Sequence, residues 1–154
     1  MFLALLLGLL WAPGPARAGR LTTRIVRVID GDTVVTADKA TLRLAGIDCP
    51  EMRAKGQLGR LLARKAKARM ERLVNGRLVE LEMAEERRDR YGRLLVYIYL
   101  QGRLINLDMI EEGLARVFIV GPNTRHGPDL IQAELRAKRA KKGLWKNWRG
   151  NWAR

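Results

Sequence analysis

The chain has 154 residues, with 30 Lys and Arg against 16 Asp and Glu, a net charge of +14. That length holds one hydrophobic core. That charge makes a long-range positive field that concentrates polyanions, nucleic acid first, with anionic membranes or cell-surface polymers behind it. One cysteine, Cys49, excludes an intrachain disulfide and a thiolate cluster, and one histidine, His126, excludes a poly-histidine zinc site. A metal, if used, must be held mainly by oxygens, which points to Ca2+ or Mg2+.

Residues 1–18 read as a signal peptide. An apolar run at 2–11, FLALLLGLLW, is followed by Pro13 and Pro15, then by small residues at Ala16 and Ala18, so cleavage is expected before Gly19. The run is shorter than the ~20 residues that span a bilayer. It has no Lys or Arg ahead of it, which keeps an uncleaved N-terminal membrane anchor as the alternative. The expected location is secreted or periplasmic. Residues 19–145 read as one domain, and 146–154 as a basic tail carrying Trp148 and Trp152.

Within the domain, residues 22–29 are rich in β-branched side chains and read as a strand. Asp30 and Gly31 turn the chain, and a second strand returns over 33–36. A third strand is expected over 40–46, with Leu42 and Leu44 on one face and Arg43 on the other. Apolar residues then recur at three- and four-residue intervals over 57–74, an amphipathic helix with a basic outer face, stopped by Asn75 and Gly76. Alternation returns at 78–83 and a β-prone run follows at 94–100, with a polar loop at 85–93 between them. A short helix at 105–112, an extended run at 114–120 and a last helix at 129–142 complete five strands and three helices.

The stretch 28–51 concentrates five of the sixteen acidic residues, Asp30, Asp32, Asp38, Asp48 and Glu51, in an otherwise basic chain. Asp-Gly and Asp-x-Pro are ordinary turn signals, which explains any one of them. Together with Arg43 they also make a kit for phosphodiester chemistry. Arginines neutralise phosphate oxygens in a planar, bidentate manner. Carboxylates hold a hard cation and activate water. Arg93, at the head of the 94–100 strand, offers a second arginine on a rigid element.

The segments IDGDT (29–33), LRLAGIDCPE (42–51), DRYGRLLVYIY (89–99), NLDMIEEGLARV (106–117) and GLW (143–145) resemble the staphylococcal nuclease family, in its order and at its spacing. The resemblance implies an α+β fold, an OB-fold five-stranded barrel with three helices, and Ca2+-dependent cleavage of DNA and RNA leaving 3′-phosphate products. It implies Asp32, Asp48 and the Cys49 backbone carbonyl as metal ligands, and Glu51 as the group that assists water. Arg43 and Arg93 would grip the scissile phosphate, and Asp30 would support the ligands. Arg90 and Tyr91 fall where the family meets the nucleotide's phosphate end. No stable protein partner is implied, and a monomer is expected.

Two positions depart from the family pattern. Cys49 replaces a threonine, which a backbone ligand tolerates. The family's paired base-stacking tyrosines fall near Phe118 and Val120, so Phe118 either stacks on a base or joins the core. The rival readings are a non-catalytic OB-fold nucleic-acid binder, which has no need of Glu51 beside both arginines, and a basic surface protein that uses charge for adhesion. DNA against RNA preference is not legible, and Mg2+ satisfies the same residue types as Ca2+.

Overall fold

The computed structural model describes residues 19–54 and 56–147. Residues 1–18, expected to be a signal peptide, and residues 148–154 of the tail lie outside the described residues. Five strands close into a barrel: β1 (Leu21–Val28), β2 (Thr33–Thr36), β3 (Thr41–Leu44), β5 (Leu78–Arg88) and β6 (Leu94–Leu100). The order is β3-β2-β1-β5-β6, and a parallel pairing of β3 with β6 joins the two edges. Closure leaves few unpaired backbone groups for another chain to seize. A two-residue strand, β7 (Arg103–Leu104), extends β6, and β4 (Gly46–Asp48) pairs with β8 (Arg116–Phe118) in a separate ladder.

Alternation explains the interior. Val34, Leu42, Leu44, Val79, Leu81, Val96 and Ile98 point inward and are buried. Helix α1 (Gln57–Val74) covers them with Ala66, Met70, Leu73 and Val74, and α2 (Ile105–Glu111) with Ile105, Met109 and Ile110. Helix α3 (Gly127–Arg139) adds Leu130 and Ala133. No helix among the described residues is long and apolar enough to cross a membrane.

Three elements differ from expectation, each for a local reason. The third strand ends at Leu44 rather than Gly46, because Gly46 takes φ 76° and the chain turns there into β4. A side chain at Gly46 would also meet Leu130 Cδ1 at 2.6 Å, so glycine is required twice over. The strand expected over 78–83 runs on to Arg88, taking up half of what reads as loop. A break in register between Met83 and Arg88 makes this possible, and Asn123 Oδ1 accepts the Glu86 amide at 2.7 Å. Helix α3 begins at Gly127, two residues early, with Pro128 in its first turn.

One buried polar side chain fixes the corner that matters most. Asn106, fully buried in α2, donates to Ala45 O at 2.8 Å and accepts from the Ile98 amide at 3.0 Å. It ties the β3–β4 corner to β6 at the end of the β3–β6 ladder, giving partners to the Ala45 carbonyl and the Ile98 amide.

Candidate functional site

The turn after β1 is built by its own polar groups. Ile29 N donates to Thr33 O at 2.9 Å, and Asp30 Oδ1 accepts the Asp32 amide at 3.2 Å. Asp30 therefore shapes the turn and aims Asp32 inward. Asp32 is only 5% exposed. Its Oδ2 accepts the Cys49 amide at 2.7 Å, and Oδ1 accepts the Thr33 hydroxyl at 3.1 Å.

Arg43 reaches the same point from β3. Its Nη1 donates to Leu44 O at 2.8 Å and Ile47 O at 2.9 Å, so the guanidinium is held by the backbone of the β3–β4 corner. Its Nη2 lies 3.2 Å from Asp32 Oδ2 and 3.3 Å from Asp48 Oδ1. Asp48 closes β4, and its other oxygen, Oδ2, accepts from Arg116 Nε at 3.0 Å and Nη2 at 2.8 Å. The β4–β8 register sets Asp48 directly opposite Arg116. Four elements thus deliver two carboxylates and two guanidiniums to one place.

Burial pushes the Asp32 carboxyl up to about 7, with Asp30 adding to the rise and Arg43 and the Cys49 amide opposing it. Burial, then the charge of Asp32, pushes the Cys49 thiol well above its ordinary range, so it is not a thiolate nucleophile.

The donors that face this point are hard oxygens. Asp32 Oδ2 and Asp48 Oδ1 share one cationic nitrogen, and the chain passes through Cys49 beside them. Among the described residues no three His, Cys, Asp or Glu side chains enclose a metal. The arrangement therefore fits a hard cation that takes two carboxylates and completes its shell with carbonyl and water oxygens, as Ca2+ and Mg2+ do. It does not fit a fully protein-caged metal.

Glu51 sits exposed at the start of the loop to α1, its carbonyl accepting the Ala54 amide at 2.9 Å. Arg93 belongs to a second, separate unit. Asp89 Oδ1 accepts the amides of Tyr91 at 2.9 Å and Arg93 at 3.0 Å, and Asp89 Oδ2 accepts Arg93 Nε at 2.7 Å. Those bonds to Arg93 and Tyr91 hold the Asp89 carboxyl below its usual range against the opposing effect of burial. Arg90 Nη2 donates to the Tyr91 hydroxyl at 2.7 Å, and Tyr91 is 68% exposed at the tip of the hairpin.

No hydrogen bond or ion pair among the described residues joins Arg93 to Asp32, Arg43 or Asp48. Register does bring them to one face. Arg43 is level with Leu95 on the parallel neighbour, and Arg93 lies two residues before Leu95 on the same side. Phe118 shares a face of β8 with Arg116, whose guanidinium carbon lies 6.0 Å from its ring centroid, and is 39% exposed. It is therefore an open ring at the rim rather than a core residue.

Sequence reasoning missed Arg116 and Asn106. His126, in the turn before α3, sets its Nε2 3.2 Å from the Tyr99 hydroxyl and its ring edge-on to Tyr97 at 4.5 Å. Only the β4–β8 pairing could have singled out Arg116, and neither three-residue strand has a visible period.

Residues 41–147 match the model of the family described as staphylococcal nuclease homologue. The chain is 32% identical over 137 residues to the thermonuclease of Staphylococcus hyicus, covering 87% of this chain and 81% of that protein. It is 36% identical over 124 residues to endonuclease YncB of Bacillus subtilis (strain 168), covering 77% of this chain and 59% of that longer protein. With the thermonuclease of Staphylococcus intermedius it shares 30% identity over 124 residues, 79% of this chain and 74% of that protein.

Proposed function

We propose that this chain, which belongs to the staphylococcal nuclease family and is a hydrolase of nucleic acids, cuts phosphodiester bonds of DNA and RNA by in-line attack of water at the Asp32–Arg43–Asp48 centre. The observation that carries the reading is Arg43 Nη2 within 3.3 Å of one oxygen from each carboxylate, three motif residues drawn together from separate strands and loops. The barrel is read as an OB-type fold with its cleavage centre beside the β3–β4 corner.

Asp32, Asp48 and the Cys49 carbonyl are the residues that would hold Ca2+, which when bound polarises the phosphate and offsets its charge. Arg43 and Arg93 grip the nonbridging oxygens, where charge grows as phosphorus becomes five-coordinate. Glu51 takes a proton from the attacking water as its oxygen bonds to phosphorus. The bond to the 5′ oxygen breaks, leaving a 3′-phosphate on one product and, after proton uptake, a 5′-hydroxyl on the other. Arg90 and Tyr91 reach toward the phosphate end of the nucleotide, and Phe118 offers its ring to a base.

Residues 1–18 are read as a secretion signal removed before Gly19, which would carry the enzyme out of the cytoplasm; the domain is read separately as a monomer. Mass spectrometry of the protein recovered from medium or periplasm checks this: an N-terminus at Met1 contradicts it. The activity is tested by incubating the protein with denatured DNA in Ca2+ or in chelator, beside Glu51→Gln. Cleavage in Ca2+ alone, cut by at least 10²-fold in Glu51→Gln, is expected. Cleavage that survives chelation removes the metal from the account, and cleavage indifferent to Glu51→Gln removes that residue.

A further inference from the structure

Half of the chain's net charge lies on one segment. Residues 52–72 carry eight Lys or Arg and a single acid, Glu71, a net +7 of the total +14. The cleavage centre uses none of these residues. Two of the cations are matched: Lys67 faces Glu71 at 4.0 Å, and Arg69 forms a fork with Glu112. Arg64, Lys65 and Arg72 are exposed and have no ion pair among the described residues. On α3, by contrast, two of the three basic residues in the last turn are matched, Arg136 to Glu111 and Lys138 to Glu134.

Three of the unmatched cations share a side. Helical spacing places Arg64, Lys65 and Arg72 within one sector of α1, opposite the buried Ala63, Ala66 and Met70. The helix also lies against the cleavage centre. A side chain at Gly31, between Asp30 and Asp32, would come within 2.7 Å of Ala66 Cβ and 2.8 Å of Cys49 Sγ. The outward face is therefore about one helix diameter, 10–12 Å, from the centre, and its cations run for about 12 Å from Arg64 to Arg72. That length matches about three to four nucleotide steps of a duplex strand.

We propose that this outward face of α1 is a second contact for the substrate, holding the sugar-phosphate backbone of a polynucleotide beyond the bond being cut. The inference rests on the nuclease reading for its substrate class. It makes the protein a binder of long chains that treats a dinucleotide and a polymer differently. The contact is electrostatic and carries no sequence information.

The test is the salt dependence of binding. The full chain, in chelator so that nothing is cut, is titrated into a fluorescent 16-mer oligothymidylate across a range of NaCl concentrations, beside the triple variant Arg64→Gln/Lys65→Gln/Arg72→Gln. Three lost phosphate contacts on a single strand lower the slope of log K against log salt by about 2. The variant is expected to show that loss, to weaken at least 10-fold on the 16-mer in 100 mM salt, and to cut a dinucleotide in Ca2+ at the wild-type kcat. A slope within 0.5 of wild type overturns the proposal, as does an equal loss on dinucleotide and 16-mer. Sedimentation of wild type but not variant with phosphatidylglycerol vesicles, with the slope unchanged, assigns the face to a lipid surface instead. A wild type that binds the 16-mer steeply yet cuts nothing in Ca2+ fails the nuclease reading and leaves this contact standing.

Discussion

Arg43, on β3, and Arg93, just ahead of β6, are the same residue type, and the protein holds them by opposite means. Arg43 is bound to two backbone carbonyls and two carboxylates, in a centre whose ties reach as far as Arg116, 68 residues from Asp48. Arg93 is held by Asp89, four residues away, inside a single hairpin. The first arrangement comes into being only when the whole barrel closes. The second needs one turn. A centre made this way couples chemistry to stability, whereas a hairpin arm can be altered without disturbing the fold.

The largest effect should separate the two. Arg43→Ala and Arg93→Ala are each expected to lower kcat/KM by about 10³-fold, the order seen when a guanidinium leaves a phosphoryl transition state. Only Arg43→Ala should also destabilise, by ~3 kcal/mol, because it strands two largely buried carboxylates. Arg93→Ala loses a partly exposed ion pair and should stay within about 1 kcal/mol of wild type. Urea melts beside steady-state kinetics read both. Equal destabilisation by the two variants breaks the comparison.

The next effect concerns charge. Asp32 titrates at about 7 in the fold against an ordinary 3.8, so folding takes up a proton between those values. The carboxyl favours the folded state most below pH ~4, and that contribution is lost as pH rises through about 7. Asp32→Asn should therefore be more stable than wild type in chelator at pH 8, by on the order of 2–4 kcal/mol, with the gap closing by pH 4. Melting both proteins across that range decides it, and a variant less stable at pH 8 contradicts the origin given for the shift.

Arg116→Met probes the far side of the same centre. It frees one oxygen of Asp48, so kcat/KM should fall by about 10-fold with the loss shared by Arg116→Lys, which keeps the charge but not the fork. Full recovery by lysine would mean that charge alone matters there. Asp89→Asn should have the smallest effect, a few-fold loss of kcat with a melting temperature nearly unchanged, since only the aim of Arg93 is loosened. A large loss of stability would show that the hairpin is not the separable unit its bonds describe.

The same contrast explains what the sequence discloses. The barrel strands β1, β2, β3 and β6 and all three helices are visible, because period-two and period-3.6 patterns lie within single segments. Asp32, Arg43, Asp48 and Arg93 are visible because each sits in a short motif. What stays hidden is what two distant segments make together. Arg116 looks like any basic residue until β8 is laid beside β4. Asn106 looks like a helix-start asparagine until its side chain meets Ala45 and Ile98. The second half of β5 hides for another reason: Glu85, Glu86, Arg87 and Arg88 are polar on both faces, so the strand that aims Arg93 carries no alternation to read.

The central claim is that the buried centre and the hairpin arm act on one phosphate, and a double-mutant cycle tests it most directly. Cleavage of a single-stranded oligonucleotide in Ca2+ is measured for wild type, Arg43→Ala, Arg93→Ala and the double variant. Groups that act on the same reacting atoms couple, so the double variant should differ from the product of the two single losses by at least 1 kcal/mol. Losses that add within about 0.3–0.5 kcal/mol, as for independent sites, would show that Arg93 serves some other part of the substrate.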